Sequence, residues 1–272
     1  MIDKETQRML RARYNPDGSL LRQTQMRMLE ILRHVDSVCR EHDISYWLSS
    51  GTLIGAARHG GFIPWDDDVD IEMLESDYER LISLLSKPEI AGRYKLCTNG
   101  TDRNFLFPYA KLHDPCSRIE EATGLDALQR YRGCFIDIFP LTPSGSRRLH
   151  RMGGKMLGTE VKMAVRTRNS GWRNSIMQCV LHLAAYPVIR FLGGFCSGNR
   201  LRHKVPSYFP AERKKNDIFP LSEISFEGFM FKAPADTDTY LKKLYGDYMK
   251  LPDSDKIHVH ASKIILSDNI IE

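Results

Sequence analysis

Apolar side chains recur every three or four residues across residues 19–41, which is the spacing of one helix face. The apolar positions on this face are Leu21, Met28, Ile31, Leu32, Val35, Val38 and Cys39. Farther along the chain, short apolar or alternating runs indicate strands. These runs cover residues 44–48, 69–73, 94–98, 107–113 and 134–139. The pattern therefore predicts a long amphipathic helix followed by several short strands.

Further helices are predicted between these strands. Residues 53–58 have the pattern of a short helix, and Ser76, with Glu79 three residues later, matches a capping box. Strands and helices mingle before residue 146, and helical patterns dominate after it. The fold class is therefore α+β, a mixed α/β architecture. We expect three parts: a core at 1–146, a basic helical insert at 147–204, and a C-terminal helical part at 205–272 that completes the core.

Charge is concentrated in one segment of the chain. Residues 147–204 contain twelve Lys and Arg residues but a single acid, Glu160. Inside this segment Asn174–Ile189 is uncharged and, at sixteen residues, is shorter than the ~20 residues that cross a bilayer. Two interpretations stay open: a buried helix pair, or an interfacial helix that contacts an anionic membrane through the flanking cations. The net charge of the whole chain is only +5, so we expect no nucleic-acid partner.

The cysteines and the first residues bear on the cellular compartment. None of the six cysteines is spaced as C-x-x-C, so the common zinc and redox spacings are absent. Residues 1–14 are charged and lack the apolar centre of a signal peptide. These observations predict reduced thiols in a cytoplasmic protein.

The densest chemical signal is the acidic run Asp66–Asp70, with the sequence DDDVD. Alternate residues of a strand face the same way, so Asp68 and Asp70 would present both carboxylates on one face. Two such carboxylates repel each other unless a cation or protons lie between them. Mg²⁺ is commonly held by one or two carboxylates together with substrate phosphates. A solvated acidic loop is the alternative, although the neighbouring Trp65 and Ile71 argue against full exposure.

Two more features point toward the same chemistry. Gly51 and Thr52 follow a predicted strand and open a predicted helix, and such a turn offers free backbone N–H groups to a phosphate. Asp137 lies within the otherwise apolar run 134–139, where a buried acid requires a partner. That partner is either a metal shared with the acidic run or a buried Lys or Arg, and the sequence leaves both open.

Four sequence blocks carry a resemblance to a known family. They are residues 51–59 (GTLIGAARH), 61–71 (GFIPWDDDVDI), 135–141 (FIDIFPL) and 245–252 (YGDYMKLP). A Gly-Ser/Thr turn, an acidic pair on one strand and a third acid on a neighbouring strand resemble the nucleotidyltransferase superfold. More closely, the blocks resemble the LicD/fukutin family of phosphotransferases. One departure is Asp253, where the family often has a second proline.

The resemblance implies a nucleotidyltransferase-like mixed sheet with flanking helices, and an enzyme that transfers phosphocholine or a similar phospho-alcohol. The donor would be a CDP-alcohol such as CDP-choline. The acceptor would be a sugar hydroxyl of a cell-surface glycan or its polyprenyl-linked precursor, of the lipopolysaccharide, teichoic acid or capsule type. By the same resemblance Asp68, Asp70 and Asp137 are catalytic and bind Mg²⁺, or Mn²⁺ in its place, and Asp66 is a further catalytic acid.

Substrate contacts are expected from five residues, Gly51, Thr52, Arg58, Trp65 and Lys111. The two cations among them would bind the phosphates of the donor, and a solvated surface cation is the alternative for each. A quaternary ammonium such as choline binds aromatic faces. A choline cage is therefore one hypothesis for Tyr46, Trp47, Trp65 and Tyr109, and ordinary packing in the core is the other.

Other functions fit part of the pattern. A nucleotide-sugar glycosyltransferase also uses D-x-D, but the Gly-Thr turn and Asp137 favour the nucleotidyltransferase type. A non-catalytic scaffold at a membrane surface, built on residues 147–204, would leave three acids without a role.

We expect a cytoplasmic enzyme that can also bind peripherally to the inner face of the membrane. The sequence does not indicate which alcohol, which acceptor or which oligomeric state applies, nor what His258 and His260 do.

Overall fold

The computed structural model describes residues 2–121, 129–169, 172–195, 197–253, 261–267 and 269–270. His258 and His260 lie outside the described residues. The strands within the described ranges are β1 Trp47–Leu48, β2 Asp70–Leu74, β3 Lys95–Cys97, β4 Ala110–His113, β5 Ser117–Glu121, β6 Phe135–Pro143, β7 Arg200–His203, β8 Arg213–Lys214, β9 Ser222–Phe226, β10 Phe229–Ala233 and β11 Ala261–Leu266.

A mixed sheet forms the centre of the molecule. Its strand order is β1-β2-β6-β4-β3, and β7 and β8 extend it beside the C-terminal end of β6. β2 and β6 run parallel, whereas the other neighbouring strands of this sheet are antiparallel. In the middle strand, Ile136 and Ile138 are fully buried, as expected for a strand covered on both faces. Together with its helices, this sheet confirms the α+β fold class.

The helices flank this sheet. Their bounds are α1 Lys4–Tyr14, α2 Leu20–Glu41, α3 Ser50–His59, α4 Glu75–Leu85, α5 Pro88–Ala91, α6 Arg147–Thr167, α7 Trp172–Val180, α8 Tyr186–Gly194, α9 Lys215–Ile218 and α10 Thr237–Tyr245. The predicted amphipathic helix is confirmed as α2, whose Ser19 hydroxyl caps the helix by accepting from the Arg22 N–H. Its predicted apolar face is buried in the core, apart from the half-buried Leu21.

The predicted capping box at Ser76 is wrong. Helix α4 begins at Glu75, directly after β2, and Leu74 occupies its N-cap position without a side-chain hydrogen bond. Strand and helix are thus joined with no turn between them, so Ser76 falls inside the first helical turn. Glu75 and Asp77 lie in the first turn of α4, at the positive end of the helix dipole. Their negative charges stabilise this end of the helix, which has no side-chain cap.

Of the two interpretations of the basic segment, the buried helix pair is wrong. Helices α7 and α8 join through a π-helical turn, Leu181–Ala185, into one helix of 23 residues, Trp172–Gly194. The turn precedes Pro187, which has no N–H for a helical hydrogen bond. Among the described residues this is the one helix long and apolar enough, by length and composition, to cross a membrane. Much of its apolar surface is exposed, so the segment is not a buried pair.

The three predicted parts of the chain remain a prediction. One strand bears on the boundary at residue 204, since β7 lies within the predicted insert and pairs with β6 in the central sheet. The described C-terminal residues also pack on this sheet, because Tyr240 and Leu241 of α10 belong to the main hydrophobic core.

Candidate active site

Parallel pairing of β2 with β6 brings two of the predicted acids together. Asp70, the first residue of β2, lies directly opposite Asp137 in β6. Lys111 of β4 lies opposite Asp137 on its other side. Three neighbouring strands therefore place two carboxylates and one ammonium group at the same level of the sheet.

Asp68, Asp70 and Asp137 line one cavity of about 170 Å³. The other residues that line it are Ser50, Phe107, Tyr109, Phe139, Leu157, His203, Pro206, Ser207, Tyr208, Phe209, Arg213 and Tyr245. Within the described ranges, no group of three or more His, Cys, Asp or Glu side chains could by itself hold a metal ion. A cation here would therefore need ligands from a bound substrate or water besides these carboxylates.

The electrostatics of the cavity favour a cation. Burial, followed by the nearby Asp68 and Asp137 carboxylates, raises the pKa of Asp70 well above its ordinary value, while a hydrogen bond from Ser50 opposes this shift. Burial and the charges of Asp68 and Asp67 likewise raise the pKa of Asp66. Buried Oδ2 of Asp66 has no hydrogen-bond partner among the described residues. Deprotonation of Asp66 or Asp70 is therefore costly in this structure unless a cation compensates the charge.

Asp137 has the buried partner that the sequence left open. Lys111 Nζ lies 3.1 Å from Oδ1 and 3.3 Å from Oδ2 of Asp137, and both side chains are buried. The same ammonium group lies 3.2 Å from the centre of the Phe135 ring. Lys111 therefore neutralises Asp137 from the side opposite Asp70, and a metal role for Asp137 would have to share the carboxylate with this lysine.

The Gly51–Thr52 turn is tied to the acidic run. Thr52 Oγ1 accepts a hydrogen bond of 2.9 Å from the Asp70 N–H, which fixes the start of β2 against α3. A Cβ at position 51 would lie 2.7 Å from Oδ2 of Asp66, so only glycine leaves room for that carboxylate. Both residues thereby shape the site, and the sequence missed their neighbour Ser50, which lines the cavity.

Arg58 and Trp65 lie away from the cavity wall. Arg58 is buried, and its Nη1 donates to the carbonyl oxygens of Tyr248 at 2.7 Å and Lys250 at 3.2 Å. Trp65 packs edge-on against Tyr14, with 5.2 Å between ring centres. Neither side chain is among those that line the cavity. In this structure Arg58 joins two of the four sequence blocks, since Tyr248 and Lys250 belong to the last of them.

The aromatic residues in the cavity are mostly not those of the hypothesised cage. Tyr46 and Trp47 are fully buried in the core, where they donate to Asp36 and Glu72. Of the four aromatic residues considered, only Tyr109 lines the cavity. The aromatic residues that do so are Phe107, Tyr109, Phe139, Tyr208, Phe209 and Tyr245. Alternation along 107–113 places Phe107 beside Tyr109, and Phe139 and Tyr245 lie in two of the sequence blocks, but no pattern marks Tyr208 or Phe209.

A buried charge network supports one wall of the cavity. Oε1 of Glu72, a fully buried residue of β2, accepts from Arg213 at 2.6 Å and from His203 at 2.7 Å. Oε2 of Glu72 accepts from the hydroxyl of Tyr240. Burial alone would raise the pKa of Glu72, but Arg213 and His203 hold it at about 2. His203 and Arg213 also line the cavity, and the sequence did not indicate them.

Comparisons with known proteins relate part of the chain to one family of domains. Residues 43–156 match the model of the LicD/FKTN/FKRP nucleotidyltransferase domain. The chain is 27% identical over 275 residues to the lipopolysaccharide cholinephosphotransferase LicD of Haemophilus influenzae, an alignment covering 90% of this chain and 98% of that protein.

A shorter stretch is similar to a mammalian enzyme. It is 48% identical over 48 residues to the human ribitol 5-phosphate transferase FKRP, which covers 18% of this chain and 10% of that protein. An uncharacterised Rickettsia prowazekii protein is 37% identical over 65 residues, 24% of each chain. The resemblance found in the four sequence blocks is thereby confirmed: the chain carries a nucleotidyltransferase domain of the LicD/FKTN/FKRP family at residues 43–156.

Proposed function

We propose that the protein is a phosphotransferase that moves phosphocholine, or a similar phospho-alcohol, from a CDP-alcohol to a sugar hydroxyl. The acceptor is a cell-surface glycan or its lipid-linked precursor. Support comes from the relatives, one named a cholinephosphotransferase and the other a ribitol 5-phosphate transferase. The observation that carries the proposal is the meeting of Asp68, Asp70 and Asp137 in one cavity with aromatic walls.

The aromatic walls suit a choline group. The ring centres of Tyr109 and Phe139 are 4.6 Å apart, and those of Phe107 and Tyr109 are 5.3 Å apart. The ring centres of Phe107 and Tyr208 are 6.4 Å apart. Quaternary ammonium groups bind such ring faces, with about 2 kcal/mol or more per desolvated contact. A donor with choline would therefore bind with its cation among the rings and its phosphates toward the carboxylates.

Mg²⁺, or Mn²⁺ in its place, fits the same cavity. Asp68 and Asp70 would hold it, with Asp137 as a further ligand shared with Lys111. Burial, followed by the neighbouring carboxylates, makes deprotonation of Asp70 costly, and a cation would offset that cost. Phosphate oxygens of the donor would supply ligands that the protein lacks, as is common for Mg²⁺. When bound, the ion supplies charge neutralisation for the pyrophosphate and the departing nucleotide.

The residues of the chain then act on the acceptor. The sugar hydroxyl oxygen forms a bond to the phosphorus of the phospho-alcohol, and the bond from that phosphorus to CMP breaks. The hydroxyl proton passes to a carboxylate of the cavity. Lys111 adds positive charge at the level of Asp70 and Asp137. The products are a phosphodiester on the glycan and CMP.

The proposed enzyme acts in the cytoplasm and is peripheral on the inner face of the membrane, where lipid-linked acceptors are found. The basic segment at residues 147–204 supports this location, because juxtamembrane cations contribute about 1 kcal/mol each near an anionic leaflet.

A panel of CDP-alcohols tests the proposal. Purified protein with Mg²⁺ is offered CDP-choline, CDP-ethanolamine, CDP-glycerol, CDP-ribitol and, as control, a nucleotide sugar, and its thermal stability is measured. A ligand at about 100 times its dissociation constant adds about 2.7 kcal/mol to the free energy of unfolding. Product analysis then distinguishes a phosphodiester plus CMP from the glycoside plus nucleoside diphosphate of a glycosyltransferase. Stabilisation by the nucleotide sugar alone would contradict the proposal, and no response to any donor would favour the non-catalytic scaffold.

A further inference from the structure

The helix Trp172–Gly194 presents an apolar face to solvent. The exposed apolar side chains on this helix and at its end are Trp172, Ile176, Val180, Leu183, Val188, Phe191, Leu192 and Phe195. Leu183 is 75% exposed, and Trp172 and Phe191 are each 69% exposed. Their spacing of mostly three or four residues places them along one side of the helix. We call these eight residues the outer face.

The inner side of the same helix carries buried polar contacts, while its second half also packs Tyr186 and Ile189 against Val205. Gln178 donates to Oδ1 of Asn169 at 2.9 Å, and Asn174 donates to the same oxygen. His182 lies 2.8 Å from Oε1 of the buried Glu160, and the Tyr186 hydroxyl donates to its Oε2 at 2.9 Å. A helix in water normally has the opposite arrangement, with polar residues outside. Polar residues turned inward and apolar residues turned outward are typical of a helix in contact with lipid.

Both ends of the helix are attached to the same side of the protein. Near its start, Asn169, which bonds to Asn174, donates to the Arg103 carbonyl at 3.2 Å and to Oδ1 of Asn104 at 2.8 Å. Near its end, the Gly193 carbonyl accepts from the Gly145 N–H at 2.8 Å, and Arg190 donates to the Val205 carbonyl at 2.7 Å. The helix therefore lies along the catalytic domain. For this helix to cross a bilayer, one of these attachments would have to break, or the charged helix α6 would have to enter the bilayer with it.

The exposed charge of the segment that contains the outer face, residues 147–204, is positive. Exposed cations lie on the adjacent α6 and at the start of the helix: Arg151, Lys155, Lys162, Arg166, Arg168 and Arg173. The acid of this segment, Glu160, is fully buried and bonded to His182 and Tyr186. No acid in residues 147–204 thus offsets these cations at the surface. This complementarity selects an anionic lipid surface over a neutral one.

We infer that the outer face rests in the interfacial region of an anionic bilayer, with the helix parallel to the membrane plane. Apolar side chains enter the boundary between headgroups and acyl chains, and the flanking arginines and lysines contact lipid phosphates. This inference names the lipid-contacting residues and their orientation. It stands independently of the transferase chemistry, because no residue of the cavity takes part.

Vesicle binding of the full chain tests the inference. Wild-type protein should co-sediment with phosphatidylglycerol-containing vesicles, bind far less to pure phosphatidylcholine, and bind less at high salt. The double variant Leu183→Asp/Phe191→Asp should bind at least about tenfold more weakly, because two buried apolar contacts are lost. The control Met9→Asp/Met230→Asp alters apolar residues that are 60% and 51% exposed on other elements, and it should bind like wild type. Equal, negligible binding of wild type to both vesicle types would overturn the inference.

Fluorescence quenching tests the orientation. Trp47 and Trp65 are buried, so brominated lipids should quench only Trp172, and Trp172→Phe should abolish the quenching. A Leu183→Trp variant should be quenched at the same shallow depth as Trp172 if the helix lies in the plane. Quenching of that variant at the bilayer centre would overturn the orientation.

The oligomeric state tests the occupant of the outer face. A dimer in lipid-free buffer that Leu183→Asp converts to monomer would show that a second copy covers the outer face, and would overturn the lipid assignment.

Discussion

Asp70 and Asp137 face each other across the parallel pair β2 and β6, and Lys111 holds only the second of them. The two carboxylates therefore differ in their electrostatic surroundings, although they line one cavity. Asp137 has a buried cation as partner, whereas the pKa of Asp70 is raised by burial and by the neighbouring carboxylates. This difference leads to distinct expectations for the two side chains.

Asp70→Asn should reduce transfer by at least about a hundredfold, the scale of losing a principal electrostatic group of an active site. The fold should persist, because removing one charge from a crowded anionic cluster relieves repulsion. Initial rates with CDP-choline and Mg²⁺, together with urea unfolding, measure both effects. Glu79→Gln, at an exposed position of α4, is the matched control and should leave both unchanged. Near-normal turnover of Asp70→Asn would refute its catalytic and metal-binding role.

The stability of the metal-free protein should depend on pH through Asp66 and Asp70. Both folded-state pKa values are raised, so the folded protein holds these protons more tightly than the unfolded chain does. The free energy of unfolding should therefore fall as pH rises from about 4 through the raised pKa values. Urea unfolding in the presence of a chelator measures this slope. Asp70→Asn should make this slope of unfolding free energy against pH flatter, and Mg²⁺ should restore stability at high pH. Superimposable pH profiles for wild type and variant would contradict the assignment of the slope to Asp70.

Breaking the pair between Lys111 and Asp137 should destabilise the fold. Lys111→Met leaves a buried carboxylate without its cation, which costs about 3–5 kcal/mol. The double variant Lys111→Met/Asp137→Asn removes both charges and should recover most of that stability.

Activity of the same double variant tests whether the pair serves transfer as well as structure. If Asp137 or Lys111 acts in transfer, the double variant stays inactive although it is stable. Recovery of activity along with stability would show that Asp137 is a structural partner of Lys111 alone.

Tyr109→Ala should weaken the binding of CDP-choline by about tenfold, since one cation–π contact contributes about 1–2 kcal/mol. CDP-glycerol, which carries no cation, should lose much less. The ratio of KM values for the two donors measures the effect. Phe229→Ala, at a partly exposed aromatic position outside the cavity, is the control. An equal loss for both donors would indicate that Tyr109 merely supports the wall of the cavity.

Sequence reasoning predicted the acids of the cavity because each has a local signal. Alternation marks Asp68 and Asp70, and an apolar run marks Asp137. The register that places Asp70 opposite Asp137 has no such signal, since parallel pairing joins strands distant in the chain.

The same limit applies to the walls and to the basic segment. Phe107 and Tyr109 follow a local alternation, whereas Tyr208 and Phe209 reach the cavity through a segment without pattern. Absence of charge in Asn174–Ile189 suggested burial, because apolar residues usually lie inside. The contacts of Glu160 and Asn169 show which side of that helix faces the protein.

The positions of the partners of Glu72 along the chain determine when, during synthesis, the site can form. This carboxylate follows Asp70 closely, yet three of its partners, His203, Arg213 and Tyr240, come 131, 141 and 168 residues later. During synthesis on the ribosome, β2 emerges long before these partners, so the carboxylate must wait in water until they arrive. A nascent chain that already contains every acid of the cavity therefore still lacks the wall behind them. Completion of the chain, rather than emergence of its acids, sets the moment at which the site can form.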